Sequence, residues 1–319
     1  MKSKVYAMLL GFAVFTGATF NLTKFSLHYF SSASAAGWRF GIAAVLMVLI
    51  IGIQKNVRWD IAKKYAGIYA VLGIIGVFGF NSLFFLGMKY TSPLNGALIM
   101  ATNPLLTTIL AYFIVKTPIA RRQIIGIILA LVGVILVLTQ GSFEVLTSHS
   151  ISFGDCLILL GNLCWSLYGV LGKKYLSQSS SMETTTYTMI IGAICLLVLS
   201  LFLPSTQPLS EVTFTAWGAI LFMAIFTSVL GYLWWNKGME TIGAANTSLF
   251  FNLVPVVTMM ISIITGTSVT ISQIAGTILV ILGVLSSTGF LKLKKGQKLL
   301  SQDVRRKKLI SQNQMKNTL

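Results

Sequence analysis

Apolar residues fall in long blocks separated by short polar stretches. Blocks of about 18 or more residues occur at roughly 5–25, 34–53, 66–87, 94–115, 122–139, 153–172, 183–203, 215–236, 244–265 and 272–290. Each is long enough for a helix to cross a hydrocarbon layer of about 30 Å. Glycines interrupt several blocks, which membrane helices tolerate. The first block follows Lys2 and Lys4, as a signal peptide would, but its apolar run is too long for an h-region and no convincing cleavage site follows it directly. It is read as the first helix. The pattern predicts an all-α membrane protein with ten transmembrane helices.

The two halves of the chain match each other at a spacing near 150 residues. Gly87-Met88 pairs with Gly238-Met239, Asn95 with Asn246, Leu98 with Leu249 and Pro104 with Pro255, all at a shift of 151. After one deletion, Gln123, Ile124, Gly126, Leu129, Gly133 and Val134 pair with Gln273, Ile274, Gly276, Leu279, Gly283 and Val284. An ordered series that includes Asn, Pro and Gln marks an internal duplication. Residues 1–140 and 141–291 then form two five-helix units, and 292–319 a tail. Five is odd, so the second unit enters the membrane from the opposite face. That is an inverted repeat, an architecture built around midplane binding sites in secondary transporters.

Composition narrows the class further. Of 319 residues, 55% are apolar and 10% charged, against about 25% charged in average globular proteins; mean hydropathy is +0.83. A soluble enzyme, a disordered chain and a secreted disulfide scaffold are excluded. The net charge of +17 would suggest nucleic acid in a soluble protein. Here it follows the topology: with the N-terminus inside, 21 of 24 Lys and Arg fall on that side, all but Lys24, Arg39 and Lys89. The bias predicts a multi-pass protein of the cell membrane with both termini cytoplasmic. The tail carries nine basic residues against Asp303, and is expected to rest on anionic lipid rather than bind nucleic acid. Cys156, Cys164 and Cys195 lie in apolar runs without paired spacing, so neither a disulfide framework nor a metal site is expected.

Polar groups in hydrocarbon are costly and face a cavity or a partner helix. Asn21, Asn81, Asn95, Asn103, Asn246 and Asn252 are cavity candidates, as are the aromatics Trp165, Tyr168, Tyr232 and Trp235. Asn162, Asn236, Tyr112 and Trp234 share these traits. For Asn95 and Asn246 the competing reading is hydrogen bonding between helices. Pro104 and Pro255 each remove a helical hydrogen bond and free a carbonyl; they either kink the packing or line the cavity. Arg39 is the one cation well inside a helix, and Lys24 lies near the end of the first. Either the two snorkel to the surface, or they form a positive entrance for a carboxylate or phosphate. Gly73, Gly76, Gly79 and the pairs Gly126/Gly133 and Gly276/Gly283 suggest close helix packing.

No phosphate-binding loop is present, and every acidic residue sits in a loop, the tail or a helix end, with Asp155 and Glu183 the least exposed. A uniporter or exchanger is expected, or a proton link through a helix-end acid. The two histidines, His28 and His149, fall in loops, so no catalytic residues, metal or cofactor are called for. A small-molecule substrate is the expected partner, with a second copy of the chain left open. A non-transporting sensor and a multidrug exporter are the rivals.

Several stretches carry a family resemblance over about residues 5–291. They are Gly-Ala-Thr-Phe with Lys24 in the first helix, Trp38-Arg39-Phe40, Asn103-Pro104-Leu105-Leu106, and Arg122-Gln123-Ile124-Ile125-Gly126. The second half adds Gly154-Asp155 with Trp165, Gly231-Tyr232-Leu233-Trp234-Trp235-Asn236 and Leu253-Val254-Pro255. In order and spacing they resemble the EamA-type ten-helix transporters of the drug/metabolite transporter superfamily. The resemblance implies a carrier of small organic metabolites, amino acids or related compounds, working in the export direction. The family commonly has Gly-Glu after the fourth and ninth helices. Here those places read Lys116-Thr117 and Gly266-Thr267, so no role of those glutamates carries over.

Overall fold

The structure, a computed structural model, describes residues 2–54, 58–116, 118–119, 121–138, 152–203, 208–266 and 269–288. All its regular elements are helical. Eight helices are long and apolar enough to cross a membrane: Ser3–Ser26, Ser32–Ile53, Ala66–Tyr90, Pro93–Val115, Phe153–Tyr175, Ser181–Phe202, Phe214–Thr241 and Asn246–Ile264. We number these first to fourth and sixth to ninth. The fifth, Arg121–Leu138, and the tenth, Ile271–Thr288, have 18 residues each. Their apolar stretches, Ile124–Gly133 and Ile271–Gly283, are shorter. The tail, and the loop holding Glu144 and His149, lie outside the described residues.

Local chemistry sets the helix starts. Ser31, Ser92 and Thr213 cap the second, fourth and eighth helices by accepting backbone N–H bonds, and Pro93 takes the first turn of the fourth. The sixth and seventh begin with reciprocal capping boxes, Ser152 with Asp155 and Ser180 with Glu183. The two least exposed acids therefore have a structural task at opposite ends of the molecule.

Contacts between helices follow a symmetric scheme. The first packs on the eighth and ninth, and the sixth on the third and fourth. The second meets the seventh and eighth; the seventh meets the second and third. The fourth meets the ninth, and the fifth the tenth. Each contact thus has its counterpart five helices along.

Backbone irregularities recur in the same way. The third helix widens into a π-helical segment at Gly73–Gly79 and the eighth at Met223–Gly231; a shift of 151 superposes the two. The fourth helix breaks between Met100 and Asn103, and the ninth passes through a 3₁₀ turn at Leu249–Leu253. Pro104 and Pro255 begin the piece after each break, where a missing N–H costs least. Neither proline lines the two cavities described below. The Ile99 carbonyl at the first break accepts from the Thr102 hydroxyl (2.7 Å) and Asn162 Nδ2 (3.1 Å), and Leu249 O at the second accepts from Asn252. These carbonyls beside the breaks are bound internally.

Glycines let the helices close. A Cβ on Gly133 would lie 2.7 Å from the Gly276 carbonyl of the tenth helix, and one on Gly73 2.9 Å from the Thr188 carbonyl of the seventh. Of the three cysteines, Cys156 is exposed rather than packed. The apolar core lies among the first, second, third, sixth, seventh and eighth helices, and the polar groups discussed next are set into it.

Candidate functional site

Two cavities lie along one path. A cavity of about 310 Å³ sits where the sixth helix ends and the seventh begins. Exposed residues such as Lys173, Gln178 and Glu240 form its rim, and Tyr168, Thr184 and Asn236 its floor. Deeper in, a small cavity of about 30 Å³ is lined by Arg39, Asn81, Trp165, Tyr232 and Thr residues among phenylalanine rings. Between them lies an aromatic layer: the Trp165 ring is 4.8 Å from Tyr232, 5.4 Å from Tyr168 and 5.3 Å from Trp235. Asn236 Nδ2 donates to Tyr168 Oη (2.8 Å) and Thr185 Oγ1 (2.9 Å), fixing the floor of the larger cavity.

Arg39 is 3% exposed. Its Nε donates to Ser228 Oγ at 2.9 Å, and its guanidinium carbon lies 4.9 Å from the Phe40 ring centroid and 5.7 Å from that of Phe85. It does not snorkel. Among the described residues, ion pairs join Arg58 to Glu183 and Lys237 to Glu240, and neither involves Arg39. A guanidinium at membrane depth costs at least about 2.5–3.5 kcal/mol. One hydrogen bond to a charged group returns about 1.5–3 kcal/mol and leaves the remaining guanidinium N–H groups unanswered. Nearby, Asn81 Nδ2 donates to Tyr232 Oη (3.0 Å) and Val77 O (2.7 Å), while its Oδ1 is buried without a partner. The indole N–H groups of Trp165 and Trp235 and the Thr16 hydroxyl are also buried and unpartnered. Asn81 and Tyr232 are 151 residues apart, so this contact joins positions related by the repeat.

Six of the thirteen candidate residues thus gather along the path: Arg39, Asn81, Trp165, Tyr168, Tyr232 and Trp235. The other seven do not. Asn21 bridges the first and ninth helices, donating to Thr258 O (3.3 Å) and accepting from Ser262 (3.1 Å). Asn95 accepts from Gln273 (3.2 Å), and Asn246 is exposed and donates to Ile242 O at the end of the eighth helix (2.9 Å). Asn103 belongs to an interhelical network, donating to Asn162 and Ser166 at 2.8 Å each. Asn252 turns back on Leu249. These five asparagines each have a backbone or side-chain partner and line neither cavity, although Asn252 Oδ1 is itself buried without one; Pro104 and Pro255 serve the helix breaks. Tyr112 is exposed. Sequence reasoning missed Thr16, Thr19, Thr227 and Ser228, whose hydroxyls carry no signal within an apolar run because they can bond their own helix.

The ends differ. At one, Lys24 Nζ donates to the carbonyls of Met88 (3.0 Å), Lys89 (3.3 Å) and Thr91 (2.9 Å), closing the C-terminus of the third helix. Thr91 donates to Asp155, and Ser152 donates to Tyr90 O at 2.7 Å. A Cβ on Gly87 would lie 2.8 Å from Gly154 O, so the third and sixth helices touch backbone to backbone there. Lys24 is therefore a latch within the protein and not an entrance.

At the other end, Arg58 forks onto Glu183, with Nε 2.8 Å from Oε1, and also donates to Gln178 O at 3.0 Å. The hydrogen bonds to Glu183 raise the Arg58 pKa above its ordinary value. The pair ties the segment before the third helix to the seventh, beside the mouth of the large cavity. Arg58→Ala leaves a carboxylate that is 2% exposed with only Ser180 to answer it. The expected result is a fall of several degrees in the apparent Tm of the purified protein. A Tm within one degree of the parent would contradict it.

Comparison with known proteins places these features. A profile described as the EamA-like transporter family matches residues 3–139 and 152–289. The chain is 55% identical over 291 residues to "Uncharacterized transporter YyaM" of Bacillus subtilis (strain 168), covering 91% of this chain and 95% of that one. It is 27% identical over 279 residues to "Probable amino-acid metabolite efflux pump" of Salmonella typhimurium (strain LT2), covering 84% and 89%. A crystal structure 17% identical in sequence superposes with a TM-score of 0.67, over 89% of this chain and 96% of that one, a likeness of fold alone.

Proposed function

We propose that this chain, which belongs to the EamA-like transporter family, carries a small organic metabolite across the cell membrane by alternating access between two inverted five-helix halves. The observation that carries the reading is the asymmetry of the path. A 310 Å³ cavity reaches the surface at the Arg58 end, while Lys24, Thr91 and Asp155 close the other. The paired helix contacts and the matching π-helical segments support the inverted repeat. The basic bias of the loops makes the Arg58 end cytoplasmic, with both termini on that side. The form described here then faces inward. The tail from Lys292 lies against anionic lipid, at about 1 kcal/mol per charge near the surface.

Substrate enters through the cytoplasmic cavity, passes Tyr168 and Asn236, and is held among Arg39, Asn81, Trp165, Tyr232 and Trp235. Loading from the cytoplasm fits export, and the printed name of the Salmonella relative makes amino acids and related compounds the first to try. The test is an untargeted comparison of metabolites inside and outside cells with and without the protein, followed by flux of each shifted compound in proteoliposomes. At least one compound should accumulate inside when the protein is missing and cross liposomes that contain it. No protein-dependent flux for any compound would defeat the transport reading and leave a sensor role.

A further inference from the structure

We infer that the substrate is a small monocarboxylate with a flat apolar body, its carboxylate taken by the free fork of Arg39. The inference deepens the transport reading and rests on it. Four features meet at the small cavity. Arg39 is buried, has no acidic partner among the described residues, and spends only its Nε–H on Ser228. Its two terminal nitrogens make no hydrogen bond to a described residue. A planar guanidinium with its outer edge unoccupied matches a carboxylate, which accepts two parallel N–H bonds.

The cavity's other uncommitted groups are mostly donors. Trp165 lines the wall, and its buried Nε1–H has no partner. Trp235 Nε1–H is likewise unpartnered and faces Gly169, which lines the larger cavity, so it marks the passage between the two. Tyr232 Oη accepts from Asn81 and keeps its own proton to give. No Asp or Glu lines the small cavity. A cation would meet like charge and lone donors there. A zwitterion would bring an ammonium that finds only neutral oxygens there, Asn81 Oδ1 and the hydroxyls of Thr16, Thr19 and Thr227. An anion answers the charge and the donors together.

The remaining wall is aromatic: Phe12, Phe20, Phe80, Phe84 and Phe251 surround the polar pole. Rings on several sides favour a flat apolar group over a sugar or a polyol. The cavity of about 30 Å³ has room for about one water molecule. At that size the rings between the two cavities must part to admit a ligand.

The experiment uses the full chain in detergent and three matched probes: phenylacetate, phenylalanine and phenethylamine. Binding is read from the fluorescence of the tryptophans at the site. Phenylacetate should saturate the signal at a concentration at least tenfold below the other two. Arg39→Gln should raise that concentration at least tenfold. Arg39→Lys keeps the charge but loses the fork, and should fall between. Asn81→Asp sets a carboxylate in the same cavity and should abolish the preference for the anion. Each variant is compared at equal Tm, so a misfolded Arg39→Gln is replaced by the Arg39→Lys and Asn81→Asp pair. The inference is overturned if phenylalanine or phenethylamine equals phenylacetate, if no probe binds, or if the folded variants bind phenylacetate as the parent does. Flux in the same preparations separates the two readings: transport of a neutral or cationic metabolite would sink this inference and leave the carrier standing.

Discussion

Gly76→Val is expected to leave the helices formed and inserted but to lower substrate flux by about two orders of magnitude. A Cβ at Gly76 would lie 2.5 Å from the Tyr168 Cβ. That atom is the root of a side chain, so no change of rotamer relieves the clash. Overpacking of this kind costs about 1–3 kcal/mol in a well-packed core, and here either the third or the sixth helix must move. Tyr168 would carry the displacement to the floor of the cytoplasmic cavity and to its bond with Asn236. About 3 kcal/mol corresponds to roughly a hundredfold change in the population of the competent packing. Gly218→Val is the control, since a Cβ there meets nothing within 4 Å. Flux in proteoliposomes, with circular dichroism to check helix content, reads the effect. A Gly76→Val protein within twofold of the parent would contradict the packing described.

Eight of the ten expected spans were legible because each requires only a run of apolar residues. The expected 34–53 and the found Ser32–Ile53 differ by two residues, and the capping serines account for the difference. The interior of the helices was less legible. Nothing in Gly-Ile-Ile-Gly-Val-Phe-Gly marks a π-helical segment, because the extra residue per turn depends on what packs across it, here Ile191 and Tyr168.

The same limit governed the site. An asparagine in an apolar run announces that a partner exists and not which. Asn81 and Asn103 read alike, yet one is turned to the cavity and the other to Asn162 and Ser166. Repeat symmetry did not distinguish the partners of Asn95 and Asn246. The two halves share those residues, but the fold gives one a glutamine from the tenth helix and the other the Ile242 carbonyl at the end of the eighth. Arg39 stood out because charge within a span is rare. The hydroxyl that holds it, Ser228, could not be named in advance, since it lies 189 residues away.

Lys24→Met tests the closed end and should shift the protein toward opening there. Lys24 gives three charge-assisted bonds to carbonyls that the third helix leaves unpaired at its end. Each is worth about 1.5–3 kcal/mol against no partner, but the half-buried ammonium regains water when it leaves. The net loss should be about 1.4–2 kcal/mol, a factor of roughly ten to thirty in the fraction open at that end. A cysteine at Thr16, in a chain whose own three cysteines are replaced, reports the change. Thr16 lines the small cavity beside Arg39, so a membrane-impermeant thiol reagent reaches it only along the path. Added from the Lys24 side, the reagent should label Lys24→Met about tenfold faster than the parent. Added from the Arg58 side, it should label more slowly, because opening one end draws population from the other. Faster labelling from both sides would mean a loosened bundle and not a released latch. Unchanged labelling would mean that Thr91, Asp155 and the Gly87–Gly154 contact hold that end without the lysine.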